Sequence, residues 1–170
     1  MEKPVLDIHQ SLQKLIGLHR QLLDIVRLER GALVEANLKA IQDVTVSKQA
    51  LIEAIGQAEL ERQKHVGTLA LLWKKPVREL MISQIIILIQ ARDQKLAEQL
   101  RSDFNALSVM IRHISDQNTD NQVLVERSLS HVHNMKKNVL GEGAPKTDTY
   151  NPQGQKTSSA GNSRLISQEA

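Results

Sequence analysis

Histidines and carboxylates are the side chains of this sequence most suited to chemistry, because the chain contains no cysteine. Glu61 and His65 lie one helical turn apart and could supply two metal ligands, but two ligands do not make a site. His131 and His133 are two residues apart, which on a helix turns them roughly 200° away from each other. No phosphate-binding glycine loop, HExxH motif or GxSxG motif occurs. We therefore predict no catalytic residue, no cofactor and no metal site.

The composition favours long helices. Hydrophobic residues make up 41% of the chain and aromatic residues only 2%, which argues against a β-sandwich or barrel. The net charge of +3 is small, and its acids and bases are interspersed, so nucleic acid is not an expected partner. The apolar run at 85–89 is far shorter than the roughly 20 residues of a membrane span. The N-terminus lacks a secretory signal pattern, so we expect a cytoplasmic protein.

Apolar residues at three- and four-residue spacings predict two helices that pair as an antiparallel hairpin. One stripe uses positions 8, 12, 15, 22, 26 and 33, and the next uses 38, 41, 44, 51, 55 and 58. The turn is expected at 36–38, where Asn37 would tolerate the left-handed conformation. In such a hairpin the residue numbers of two facing positions add up to about 77. Val26 then faces Leu51, and Leu22 faces Ile55. The same register either pairs Glu29 with Lys48 or leaves both charges in solvent.

A second break is expected between Gly67 and Pro76, and Pro76 would open a third helix at Val77. Trp73 would cap the end of the bundle or serve as an interface residue. The apolar stripe of the third helix continues through Asn118 and Asn121, which form either a register-fixing polar layer or a hinge. A straight helix over 77–140 would span roughly 95 Å. The first two helices could not cover that length, so its C-terminal half should lack an intramolecular partner.

The predicted fold class is therefore all-α: an antiparallel bundle or coiled coil of three to four long helices at 1–140. Residues 141–170 are predicted to form a flexible tail, because they are rich in Ser, Thr, Gly, Asn and Gln and show no periodicity.

The amphipathic segment at 124–139 is the strongest candidate for a binding surface. Recognition of a partner helix uses anchors at such spacings. The alternatives are that the segment folds back onto the bundle, or that the protein is a structural coiled coil that self-associates through the stripe at 96–139. The predicted contact residues are Leu124, Val125, Leu129, Val132, Met135 and Val139.

Several short motifs follow one another along the chain. In order they are Glu29 with Ala32-Leu33, Lys48 with Leu51-Ile52, Glu59 with Arg62, Asn118 and Asn121 followed by Leu124 to Leu129, and Thr149 to Gly154. Together these motifs resemble those of the FlgN family of flagellar type III export chaperones. They cover most of residues 5–155, but the insert around Trp73 is not matched, and Tyr150 is followed by Asn-Pro where many relatives have glycine.

This resemblance implies a cytoplasmic chaperone, not an enzyme, that needs no ATP or metal. Its substrates would be hook-associated proteins one and three, whose C-terminal amphipathic helices polymerise after export and must be covered before it. The chaperone would also dock on the cytosolic domain of the large membrane protein of the export gate. Tyr150 is the predicted docking residue, because an isolated aromatic residue in a flexible tail has no core to join; otherwise it has no role. We expect a monomer or weak homodimer without direct membrane insertion.

Overall fold

The computed structural model describes residues 3–140, 149–150 and 156–157. Within these residues the chain forms four α-helices: α1 (Lys3–Val34), α2 (Leu38–Trp73), α3 (Ile82–Gln90) and α4 (Gln94–Leu140). A single 3-10 turn, Val77–Glu79, lies between α2 and α3. Two short strands, β1 (Thr149–Tyr150) and β2 (Lys156–Thr157), pair antiparallel. The predicted all-α bundle is confirmed.

The chain divides into two compact units, Met1–Val125 and Glu126–Ala170. The first unit holds α1, α2, α3 and the first part of α4, and the second holds the last part of α4 with the two strands. The predicted division into a bundle at 1–140 and a flexible tail at 141–170 stays a prediction, because most of that tail lies outside the described residues. No helix in the described part of the chain is long and apolar enough to cross a membrane.

The turn between α1 and α2 lies where the sequence predicts it, but its residues have different roles. Ala36, not Asn37, adopts the left-handed conformation, with a φ of 52°. The N–H groups of Ala36 and Asn37 donate to the carbonyls of Leu33 and Ala32, which closes the end of α1. The Asn37 side chain instead accepts the N–H of Ala40 at 3.1 Å. Asn37 therefore caps the start of α2.

The predicted break at 67–76 is wrong at its N-terminal side, because α2 continues through Gly67 to Trp73. One glycine inside a helix costs only about 1 kcal/mol, and burial of its neighbours Val66 and Leu69 offsets that cost. The helix ends at Trp73, because the next residue, Lys74, is left-handed with a φ of 53°. Pro76 follows and prevents further helix.

The prediction of one helix from Val77 to 140 is also wrong, because residues 91–93 separate α3 from α4. Asp93 is the physical reason: its Oδ1 accepts the N–H of Leu96 at 2.9 Å, as an N-cap does. From Gln94 the helix continues through Asn118 and Asn121, so the structure contains no hinge there.

The main core lies in the first unit and takes side chains from all four helices. A smaller cluster contains Leu22, Val26 and Ile114, with Leu51 and Ile55 packed against it. This cluster brings together the residue pairs that the predicted hairpin register aligns. Each fully buried aliphatic side chain contributes about 1.5–3 kcal/mol. Among the described residues, the largest fully buried side chains are Ile8, Leu12, Leu69, Ile85, Leu100, Val5 and Val26.

Candidate binding surface on the last helix

A polar network attaches α4 to the hairpin of α1 and α2. The Nζ of Lys48 lies 2.7 Å from Oε2 of Glu29 and also donates to Oδ1 of Asn118 at 2.8 Å. The Nδ2 of Asn121 donates to the carbonyl of Val26 at 3.0 Å and to the same Glu29 oxygen at 2.9 Å. The predicted pairing of Glu29 with Lys48 is confirmed, and the two asparagines extend it to a third helix.

This network fixes the register of α4 on the hairpin. Asn121 is only 4% exposed, so a shift of α4 along the hairpin would leave a buried amide without its partners. An unsatisfied buried polar group costs about 1–3 kcal/mol. Polar residues in an apolar seam specify register for this reason. The interpretation of Asn118 and Asn121 as a polar layer is therefore the one that the structure supports.

Beyond this network α4 has a different environment. Ile114 and Asn121 are buried, whereas every residue from 126 to 139 is exposed. Among the predicted contact residues, Leu124 is half-buried and the other five expose apolar surface. The exposed fractions are 39% for Val125, 64% for Leu129, 62% for Val132, 54% for Met135 and 82% for Val139.

Within the second unit, four of these residues form what we call the α4 stripe: Leu129, Val132, Met135 and Val139. Their spacings of three, three and four residues place them along one side of the helix. Exposed aliphatic side chains grouped in this way are typical of a protein-binding surface. Burial of each against a partner would contribute up to about 1.5–3 kcal/mol. The stripe can therefore hold the apolar face of another helix.

The charges near the α4 stripe are mainly positive. Between 126 and 139 the chain carries Arg127, Lys136 and Lys137 but only one carboxylate, that of Glu126. Positive charges around an apolar surface favour a partner whose flanking residues are acidic. The stripe therefore suits an amphipathic helix with glutamate or aspartate beside its apolar face.

Tyr150, the predicted docking residue, lies in β1, where it pairs with Lys156 of β2. The side chain of Tyr150 lies outside the described part of the structure, so its predicted role stays a prediction. In the described residues no group of three or more histidines, aspartates and glutamates is arranged to hold a metal ion.

Sequence reasoning missed a concave region around the connection between α2 and α3. A cavity of about 490 Å³ lies there, and its lining includes Arg62, Met81 and Phe104. Trp73 packs against the main core and also lines a neighbouring cavity of about 300 Å³. The packing of Trp73 against the core agrees with its predicted role as a bundle cap, and its alternative role as an interface residue stays a prediction. The sequence feature that could have indicated this concave region is the run of basic residues on both sides of Pro76.

Glu59 and Arg62 form a two-point ion pair in the wall of the larger cavity, with contacts of 2.6 and 2.8 Å. The hydrogen bonds from Arg62 lower the pKa of Glu59, although partial burial opposes the change. The same bonds raise the pKa of Arg62. Both side chains are therefore charged at neutral pH, and this wall of the cavity is polar.

A family model described as FlgN protein matches residues 5–158 of the chain. The match includes nearly all of the described helices and both strands. Comparisons with curated proteins and with solved structures found no match. FlgN proteins are chaperones rather than enzymes. The chain belongs to the FlgN family of flagellar export chaperones.

Proposed function

We propose that this protein binds the C-terminal amphipathic helices of hook-associated proteins one and three. By covering the apolar faces of those helices it prevents their assembly in the cytoplasm. It then delivers these substrates to the cytosolic domain of the large membrane protein of the export gate. Membership of the FlgN family supports the chaperone activity, and the exposed residues of α4 support the choice of an amphipathic helix as the recognised element.

The α4 stripe is the single observation that carries this proposal. A substrate helix that lies along it presents apolar side chains at the same three- and four-residue spacing, so the two faces match. Val139 is 82% exposed and Leu129 is 64% exposed, so both have apolar surface to lose to a partner. Acidic residues at the edge of the substrate helix would meet Lys136 and Lys137.

Tyr150 is the proposed contact with the export gate. A tyrosine offers an apolar ring and a hydroxyl group that forms hydrogen bonds, a combination common at protein interfaces. Replacement of Tyr150 by alanine is expected to reduce motility while leaving substrate affinity unchanged, because the α4 stripe remains intact. Swimming assays and calorimetry on the same variant measure the two effects separately, and wild-type motility would exclude this role.

The competing function is self-association through the stripe at 96–139. Leu96, Leu100, Leu107 and Ile114 are buried within the first unit, so they have little apolar surface to offer a second copy. Within residues 96–139, the α4 stripe exposes the most apolar surface. Light scattering at micromolar concentration distinguishes the two functions: a stable oligomer supports self-association, and a monomer or weak dimer supports the chaperone.

Co-purification with a hook-associated protein tests the proposal directly. Two forms of the substrate are compared, one with its C-terminal helix and one without it, and calorimetry then measures affinity and stoichiometry. A one-to-one complex that needs the C-terminal helix is the expected result. A complex of equal affinity with both forms would show that another element of the substrate is recognised.

A further inference from the structure

The connection between α2 and α3 carries positive charge that the described residues do not neutralise. Lys75 and Arg78 make no ion pair with any described residue, whereas Lys14 and Lys48 in the hairpin each lie 2.7 Å from a glutamate oxygen. Between 71 and 92 the sequence has one acid, Glu79. Its cations there are Lys74, Lys75, Arg78 and Arg92.

Lys75 and Arg78 lie along a continuous groove. The 300 Å³ cavity that Trp73 lines shares Lys75 and Leu88 with a second cavity of about 310 Å³. That second cavity shares Arg78 and Met81 with the cavity of about 490 Å³. Because successive cavities share lining residues, they form one concave surface of the first unit. We call it the Lys75 groove and define it by Leu72, Trp73, Lys75, Arg78, Met81 and Leu88, and Glu79 is the acid in the lining of its middle cavity.

The apolar residues of the Lys75 groove are accessible. Leu72 is 51% exposed, Met81 is 66% exposed and Leu88 is 38% exposed, although each belongs to a type that is usually buried. The groove thus combines apolar surface with Lys75 and Arg78, which make no ion pair with a described residue. Such a combination indicates an interaction site rather than a solvated face.

We propose that the Lys75 groove is a second docking surface, which binds a segment of a partner protein that carries aliphatic side chains beside glutamate or aspartate. The aliphatic side chains would enter the cavities next to Leu72, Met81 and Leu88. The carboxylates would meet Lys75 and Arg78, and the guanidinium group of Arg78 can bind a carboxylate through two hydrogen bonds. This inference is independent of substrate binding at the α4 stripe.

The concave shape decides between a peptide and a lipid surface as the occupant. A protein that lies on a bilayer presents protruding apolar side chains that enter the lipid. In the Lys75 groove the apolar side chains line cavities, which receive side chains of a partner. We therefore choose an acidic peptide segment over an anionic membrane.

The fluorescence emission of Trp73 can report binding, because Trp73 is the only tryptophan of the chain and lines the groove. The probes are two synthetic amphipathic peptides without tryptophan, which share the same leucine positions and carry either glutamate or lysine on the polar face. The full-length protein is titrated with each peptide. The glutamate peptide is expected to produce a saturable change in Trp73 emission that weakens with added salt. The lysine peptide is expected to produce none.

Charge reversal locates the binding site. Lys75→Glu combined with Arg78→Glu is expected to reduce affinity for the glutamate peptide about tenfold or more. The matched control, Arg20→Glu combined with Lys39→Glu, changes two exposed residues by the same charge and should retain the affinity. Circular dichroism checks that both variants are as helical as the wild-type protein. Val132→Asp combined with Val139→Asp should also retain the affinity, which separates this site from the α4 stripe.

Four results would overturn the inference. The first is an equal response to both peptides, and the second is unchanged affinity after reversal of Lys75 and Arg78. The third is an equal loss in the control variant, which would show attraction by net charge alone. The fourth is that the peptide does not bind and the groove has a different occupant. That occupant would be a membrane if binding to vesicles of phosphatidylcholine and phosphatidylglycerol depends on Lys75 and Arg78. It would be a second copy of the chain if light scattering shows a dimer that depends on the same two residues. No hook-associated protein is present, so failure here leaves the proposed function untouched.

Discussion

The two parts of α4 carry the same kind of apolar stripe in opposite environments. In the first part Leu100 is fully buried, and Leu107 is 8% exposed. In the last part Leu129 and Val139 are more than half exposed, although their spacing follows the same helical period. Periodicity therefore determines which side of a helix is apolar. It does not determine whether that side is covered by the same chain or left for a partner.

Truncation of one leucine in each part of α4 should have very different effects on stability. Leu100→Ala is expected to lower the free energy of unfolding by about 2–5 kcal/mol, because it leaves a cavity in the core. Leu129→Ala is expected to change it by less than about 0.5 kcal/mol, because its side chain is exposed. Urea unfolding followed by circular dichroism measures both values. Similar losses for the two variants would mean that the last part of α4 is covered in the free protein.

The exposed part of α4 should differ from the buried part in its effect on substrate binding. Val132→Asp combined with Val139→Asp is expected to weaken substrate binding by at least about 100-fold, since each change places a charge where the proposed partner is apolar. Calorimetry with a hook-associated protein measures the loss.

Ser130→Asp combined with Asn134→Asp is the matched control for this prediction. It adds the same two charges to the other side of the helix and should retain most of the affinity. Equal losses in the two variants would show that charge or helicity, rather than the α4 stripe, governs binding.

The third prediction concerns the network that attaches the covered part of α4 to the hairpin. Lys48→Met is expected to lower the free energy of unfolding by about 1–3 kcal/mol, because Glu29 and Asn118 both lose a partner. Lys39→Met is the same chemical change at an exposed position and should have an effect within about 0.5 kcal/mol. Thermal or urea unfolding of both variants is the measurement. Equal effects would show that the network does not hold α4 in place.

The smallest expected effect lies away from α4, in the ion pair of Glu59 and Arg62. The pKa of Glu59 is lowered in the folded protein, so the pair stabilises the fold above the ordinary glutamate pKa and loses that effect as pH falls through the lowered value. Because the pair is partly exposed to solvent, Glu59→Gln should cost only about 0.5 kcal/mol at neutral pH. The difference between wild-type and variant should vanish in acid. A difference that persists at low pH would contradict an ionic origin.

Much of the hairpin could be predicted from the sequence, because its determinants are local. The apolar spacing and one turn position were enough to align Glu29 with Lys48, and the two side chains do form an ion pair. The roles of Ala36 and Asn37 at the ends of the two helices were harder to predict from the sequence. Asparagine favours both helix ends, and only the backbone conformation decides which end it serves.

The errors near the middle of the chain have a common cause. Gly67 looks like the start of a break, but packing of Val66 and Leu69 keeps the helix intact. Asp93 looks like an ordinary exposed acid inside a long periodic segment, yet it caps α4 and separates it from α3. In both places the local preference of one residue competes with the burial of its neighbours. That competition depends on contacts that are distant in sequence.

The helical class, the apolar faces of the helices and the register of the hairpin could all be read from the sequence, and five of the six proposed contact residues of α4 do expose apolar surface. These features follow from periodicity and from the chemistry of single residues. Only the tertiary structure decided that α3 is a separate helix, that Asn118 and Asn121 join the pair of Glu29 and Lys48, and that Lys75 and Arg78 lie in one groove. These features depend on which distant residues meet, because burial and charge pairing are properties of the packed chain.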